Sequence, residues 1–155
     1  MSVDIIGIGA DGTAGLSPEV RARLDAADVI VGGERHLGFV DDHRADKISW
    51  RRPLEATFEE IEPHLDRKVV VLSSGDPLDH GVARRLIERY GPDQVAVHPH
   101  PSAFALACAR LGWSREQVVC LSLHARPLAR LKRELVPGRR LLLLTDAKTS
   151  ASAIA

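Results

Sequence analysis

Leu72–Gly81 reads LSSGDPLDHG and follows three valines. A buried strand thus ends in two hydroxyls, a glycine and a carboxylate. Each residue type has a chemical use at a strand end. Gly75 lets a ligand approach the main chain closely. Asp76 is an acceptor suited to a ribose hydroxyl or an amino group, and Pro77 fixes the exit from the turn. The structural alternative for Asp76 is the N-cap of the next helix. A second segment of this kind, HPHPSA (98–103), offers a backbone and hydroxyl platform for an adenine or amino-acid moiety, while Ser102 also has the chemistry of a helix cap. A third, GIGADG (7–12), has the lettering of a dinucleotide-binding turn. That fingerprint requires its last glycine to open a helix. Here Thr13 to Leu16 intervene before Ser17-Pro18-Glu19, which reads as the helix start. Because an acid, Glu34, follows the second strand, a nucleotide-binding oxidoreductase remains an alternative reading. A non-catalytic fragment is another.

The elements that must position these turns alternate between two periods. Short apolar runs at 3–8, 28–31, 68–73 and 95–98 predict strands, and 47–50 predicts a weaker edge strand. Between them, helices are predicted from Ser17, over 34–40, 57–65 and 81–90, and then over 102–111. Strand–helix alternation predicts an α/β fold with a parallel-rich sheet and flanking helices. In such a sheet ligands bind beyond the C-terminal strand ends. GIGADG, GGERH (32–36), SSGDPLDHG and HPHPSA all follow strands, so they are expected on one rim. The pattern restarts after Gly112-Trp113-Ser114, with strands at 118–123 and 140–145 and a helix over 128–135. This predicts an N-terminal domain over 1–112 and the start of a second α/β domain over 113–155. The second stretch ends as a helix begins, so the sequence is expected to be part of a longer chain.

Composition narrows the function classes. Lysine plus arginine equals aspartate plus glutamate at 21 each in 155 residues, which speaks against a nucleic-acid-coating protein. No apolar run reaches the length of a membrane span, and no membrane association is expected. Cys108 and Cys120 lack metal-type spacing and read as reduced thiols, which suits the cytoplasm. Seven histidines include no helical His-x-x-x-His pair, so no metal site is expected. Instead His36, His43, His80, His100 and His124, with Arg35, Arg44, Arg84 and Arg126, are expected to give the rim a positive field for an acidic substrate. The preference for arginine, alanine and leucine over lysine is the usage of a GC-rich bacterial gene.

Three stretches together resemble the tetrapyrrole methylases: GIGADGTAGLSPEVRARLDAADVIVGGERHL, VVVLSSGDPLDHGVARRL and HPHPSAFALACARLGWSREQVVCLSLHAR. More narrowly, they are similar to the precorrin-6Y methyltransferase branch of cobalamin biosynthesis. The resemblance implies two α/β domains with S-adenosylmethionine between them, and methyl transfer to meso carbon 5 of an acidic precorrin. It also implies a homodimer, and a second methyltransferase/decarboxylase domain, fused or separate, for carbon 15. Carried over to this chain, the cofactor contacts are Ala10, Ser74, Gly75, Asp76, Ser102 and Ala103. Ala10 stands where many members have proline, and Ser74 where many have glycine. The donor's methyl group is already activated, so no nucleophilic serine or cysteine is needed and alignment is the main task. A base for a macrocycle proton is a further requirement, for which Asp11 and His36 are the rim candidates.

Overall fold

The computed structural model describes residues 3–123, 129–146 and 154. They fall into two compact units, Met1–Ser102 and Ala103–Ala155. The division lies just before the helix Ala103–Leu111, whereas the sequence pattern places a boundary after it.

The first unit is built on five parallel strands: β1 Val3–Ile8, β2 Val29–Gly32, β3 Asp46–Ser49, β4 Val69–Ser74 and β5 Val95–His98. Their order across the sheet is β3-β2-β4-β1-β5, with every pair parallel. Both faces of this sheet are covered, which is why β1, β2 and β4 read as continuous apolar runs rather than alternating ones. Alternate residues feed two cores. Val3, Ile5, Val29, Val31, Val69 and Val71 pack with Phe58 and Ile61 of α3 (Leu54–Ile61) and with Ala83 and Leu86 of α4 (Ala83–Tyr90). On the opposite face Ile6, Ile30, Val70 and Leu72 pack with Leu24 of α1 (Pro18–Asp25), Ala27 and Val40. Each fully buried aliphatic side chain contributes about 1.5–3 kcal/mol of transfer free energy. The edge strand β3 buries only Ile48, so its weak sequence signal is the signature of an edge.

Local chemistry sets the helix ends. Ser17 caps α1 by accepting from the Val20 N–H at 3.3 Å, and Pro18 occupies the first helical position. A helix starting at Gly81 is not what forms, because α4 opens only at Ala83. His80 sits at φ 63°, and a Cβ on Gly81 would lie 2.3 Å from the Pro77 carbonyl oxygen. The chain is folded back on itself there, and the Ala83 N–H donates to Pro77 O at 3.2 Å. The helical stretch after β2 is split into α2 (Glu34–Leu37) and a 3₁₀ turn, Gly38–Val40.

Thr57 is a buried polar side chain of the first unit, and its Oγ1 accepts from the Arg51 N–H at 2.8 Å. Thr57→Val keeps the shape but leaves that donor unpaired. It is expected to cost about 1 kcal/mol in urea unfolding; an unchanged midpoint would show that water replaces the hydroxyl.

In the second unit, β6 (Val118–Ser122) and β7 (Arg140–Leu144) form a parallel pair, accompanied by α5 (Ala103–Leu111) and the short α6 (Ala129–Lys132). The helix expected over 128–135 thus ends earlier, at Lys132, and Leu128 lies outside the described residues. Arg140 lies over the Trp113 ring, 5.2 Å from its centroid. Among the described residues no helix is long and apolar enough to cross a membrane.

Candidate functional site

The strand order locates the site. From β1 the chain crosses by α1 on one face to β2, toward the β3 edge. From β4 it crosses by α4 on the other face to β5, at the opposite edge. β1 and β4 are neighbours, so the loops leaving their C-terminal ends diverge to opposite faces. This is a topological switch point, where an open α/β sheet leaves a crevice for ligands. GIGADG leaves β1 and SSGDP leaves β4, with Ile8 opposite Ser74 in the register. HPHPSA leaves β5, the other neighbour of β1.

The three turns are locked together by main chain. The Gly75 N–H donates to Ile8 O at 3.0 Å, and the His100 N–H donates to Gly75 O at 3.3 Å. Gly7 lies beneath this contact: a Cβ there would stand 2.0 Å from Gly75 O and 2.7 Å from His100 N. Gly75 itself has φ +58°, a conformation natural to glycine, and a Cβ there would stand 3.2 Å from the backbone of Pro101 and Ser102. Gly9 is closely overlaid as well: a Cβ there would stand 2.5 Å from Asp11 Oδ1 and 2.6 Å from His100 Cε1. The rim is therefore a closely packed main-chain surface on which these glycines have no room for a side chain.

Asp76 does not cap α4, whose N-cap is Val82. It closes a turn of its own: Oδ1 accepts from the Leu78 N–H at 2.9 Å, and its carbonyl accepts from the Asp79 N–H at 3.0 Å. The carboxylate is thus anchored by one oxygen, while the other has no partner among the described residues. Its half-buried position suits it to hold a ligand donor. Ser74 is exposed at the strand end, Ser102 is half-buried beside Gly75, and Ala10 and Ala103 are exposed.

The two base candidates differ. The Asp11 carboxylate is exposed and lies against Gly9 and Gly15. His36 is half-buried, with Nε2 2.9 Å from Ser74 Oγ and Nδ1 buried without a partner among the described residues. Burial, and then the neighbouring Arg35 charge, push its pKa below the ordinary value. The imidazole is therefore neutral at neutral pH. The sequence singled out both His36 and Ser74 but gave no sign that they meet. His100, whose ring lies over Gly9 with Nδ1 also unpaired, has the same standing.

This burial carries a pH dependence. In the unfolded chain His36 titrates at about 6.5, whereas in the folded chain it titrates lower. Above pH ~6.5 both states are neutral and the residue adds nothing. Below it the unfolded state binds the proton first, so stability falls with pH. Wild-type protein is expected to lose more stability than His36→Gln between pH 7.5 and 5.5, measured by urea midpoints. Parallel losses would mean that other groups account for the whole slope.

The expected positive rim is only partly assembled. Arg35 flanks His36 and lies 6.0 Å from the Phe39 ring centroid, and His80 and His100 are on the rim turns. Arg84 is engaged by Glu88 at 2.6 Å. His43 and Arg44 precede β3 and so lie at the N-terminal edge, away from the rim, where His43 Nδ1 accepts from the Ala45 N–H at 3.0 Å. His124 and Arg126 lie outside the described residues. Among the described residues no cluster of three or more metal-type ligands is present.

The dinucleotide reading of GIGADG fails on geometry. Gly12 does not open a helix: it has φ 62°, a Cβ there would stand 2.8 Å from Phe39 Cδ1, and a 3₁₀ turn, Thr13–Gly15, separates it from α1. No helix N-terminus is therefore presented by the glycine turn for a pyrophosphate.

Comparison with known proteins agrees with this geometry. The precorrin-6Y C(5,15)-methyltransferase [decarboxylating] of a Sinorhizobium species is 39% identical over 92% of the chain, which spans 35% of that protein. The cobalt-precorrin-7 C(5)-methyltransferase of Salmonella typhimurium is 30% identical over 97% of the chain and 74% of its own length. The crystal structure of the precorrin-6Y methylase from Archaeoglobus fulgidus superposes with a TM-score of 0.71 at 26% identity, over 99% of this chain and 78% of that one. With residues 2–155 matching the family model Tetrapyrrole (Corrin/Porphyrin) Methylases, the chain belongs to the tetrapyrrole methylase family.

Proposed function

We propose that this chain is the carbon-5 methylating part of an S-adenosylmethionine-dependent corrin-precursor methyltransferase of cobalamin biosynthesis, acting on precorrin-6Y or a closely related precorrin. The observation that carries this is the switch-point rim, where Gly7 and Gly75 bring three turns into main-chain contact under Ser74 and Asp76. The assignment to carbon 5 has separate support. The chain matches 35% of a relative named for carbons 5 and 15, but 74% of one named for carbon 5 alone.

The rim fits the methyl donor in its chemistry. The packed glycines bring the three turns together at the rim, the free Asp76 oxygen suits a hydroxyl or ammonium, and the Ser74 hydroxyl suits an oxygen. Ala10, Ser74, Gly75, Asp76, Ser102 and Ala103 are the proposed contacts. When bound, the donor supplies an electrophilic methyl group. The protein's part is to hold the partners in line and to exclude competing water. Of the two base candidates, Asp11 is exposed on the rim and is the one placed to take a proton, while His36 is kept neutral by burial. Arg35, with His80 and His100 on the rim turns, gives an acidic tetrapyrrole its complementary side. We place the enzyme in the cytoplasm as a homodimer, working with a fused or separate domain for carbon 15 and the decarboxylation.

The test is to titrate the chain with S-adenosylhomocysteine in a calorimeter and to assay transfer of labelled methyl from S-adenosylmethionine to precorrin-6Y. Binding together with a product methylated at carbon 5 is expected. Labelling at another position would refute the carbon assignment, and absence of binding would refute the cofactor site.

A further inference from the structure

His36 and Ser74 are 38 positions apart in sequence, yet their side chains meet at 2.9 Å between Nε2 and Oγ. Which of the two donates decides what Ser74 can offer to a ligand. The buried Nδ1 has no partner among the described residues. A neutral imidazole carries one proton. Placed on Nδ1, it would make a buried, unpaired N–H donor, which proteins tolerate less often than an under-used acceptor. Placed on Nε2, it is donated to Ser74 Oγ, and Nδ1 keeps only a lone pair. The second arrangement is the better satisfied. Burial and the Arg35 charge act in the same direction by opposing a doubly protonated ring, which would also bury an unpaired Nδ1–H.

The consequence falls on Ser74. Its oxygen accepts from His36, and its side chain has no other hydrogen bond among the described residues. The hydroxyl proton is therefore free to point outward from an exposed strand end, two residues before the Asp76 carboxylate. We propose that His36 is a positioning residue that fixes Ser74 as a hydrogen-bond donor toward a carboxylate of the bound ligand. The carboxylate assignment rests on the function proposed above, since both the methyl donor and a precorrin carry that group. The tautomer assignment rests on the geometry alone. This gives His36 a role other than proton abstraction: with Nε2 already protonated, its free lone pair is at Nδ1, which is buried away from solvent.

Two measurements on the full chain test it. In the first, histidine labelled with ¹⁵N is observed by two-bond ¹H–¹⁵N correlation at pH 7.5, and His36 is assigned by its loss in His36→Gln. The Nε2–H tautomer is expected, and the Nδ1–H tautomer overturns the proposal whatever the protein's activity. In the second, Ser74→Ala, His36→Leu and His36→Gln are compared in binding and in KM. If the cofactor supplies the carboxylate, Ser74→Ala and His36→Leu weaken S-adenosylhomocysteine about tenfold and leave 5′-methylthioadenosine, which lacks the amino acid, unchanged. If the substrate supplies it, cofactor affinity is kept and KM for the tetrapyrrole rises by a similar factor. In either case His36→Gln, which keeps an N–H donor, restores what His36→Leu loses. No change in affinity or KM for Ser74→Ala, or no rescue by glutamine, overturns the positioning role. Wild-type protein that binds neither ligand would instead refute the proposed function, and the carboxylate with it.

Discussion

Gly7→Ala is expected to destabilise the first unit by about 3 kcal/mol or more, at the upper end of what overpacking costs. The added methyl has nowhere to go. Its position is 2.0 Å from one backbone atom, Gly75 O, and 2.7 Å from another, His100 N. A flexible side chain could swing away from such a clash, but main chain inside a sheet cannot. Relief requires β4 and the turn after β5 to move away from β1, which breaks the 3.3 Å bond from His100 N to Gly75 O. At roughly 2–4 °C per kcal/mol for a chain of this size, the melting midpoint should fall by about 6–12 °C. Gly38→Ala is the control, because nothing lies within 4 Å of its Cβ position and its φ of −61° suits any residue. It should stay within about 0.5 kcal/mol of wild type. If the two variants melt alike, the three turns are not held together as described. The same substitution at residue 7 should also cost ligand affinity, since it displaces Gly75 and with it the neighbouring Ser74 and Asp76.

The contrast between these glycines shows what a sequence can display. All twelve are visible as letters. The conformational demand on Gly75 could be anticipated, since a strand ending in Ser-Gly-Asp-Pro calls for a left-handed residue. The demand on Gly7 could not, because the atoms that exclude a Cβ belong to residues 75 and 100. The strands themselves were legible: Val3–Ile8 and Val95–His98 match their apolar runs end to end, and in β1 burial on both faces leaves a continuous signal. Their order was not, since nothing local distinguishes β4 beside β1 from β2 beside β1. The switch point, and with it the location of the site, depends on that order. The start of α4 was misplaced by the same kind of omission. Gly81 and Val82 have plausible helical neighbours, but the backbone is captured by the Pro77 carbonyl before a helix can begin.

The residues of the candidate site follow a similar division. Ser74, Gly75 and Asp76 announce themselves by composition at a strand end. What each does depends on distant partners. Ser74 finds His36 across the gap between β4 and α2, and Asp76 turns out to organise its own loop rather than the next helix. Histidines are harder to place from sequence. His36 and His100 sit over the rim, His98 is a strand residue bonded to Asp4 at 2.7 Å, and His43 ties a loop at the opposite edge. Sequence distance from a turn does not separate these cases, whereas strand direction does. Residues after a parallel strand reach the rim, and residues before one cannot.

Asp76→Ala is expected to weaken S-adenosylhomocysteine binding by about 1–3 kcal/mol, or roughly 5- to 150-fold in Kd, the usual cost of leaving a buried polar partner unpaired. The side chain has two jobs, and they must be separated. One oxygen accepts from the Leu78 N–H at 2.9 Å and shapes the turn; the other is open to the ligand. Asp76→Asn is the discriminating variant. Its amide oxygen can keep the turn, while its NH₂ group presents donors where a ligand hydroxyl or ammonium needs an acceptor. Stability in urea should therefore be nearly unchanged in Asn and modestly lower in Ala, while affinity falls in both. Because α4 is capped at Val82 and not at Asp76, neither variant should reduce the helical circular dichroism signal. If Asp76→Asn bound the ligand as wild type does and only Asp76→Ala were weak, the carboxylate would be a turn former alone. The ligand contacts at the switch point would then have to come from backbone and from Ser74.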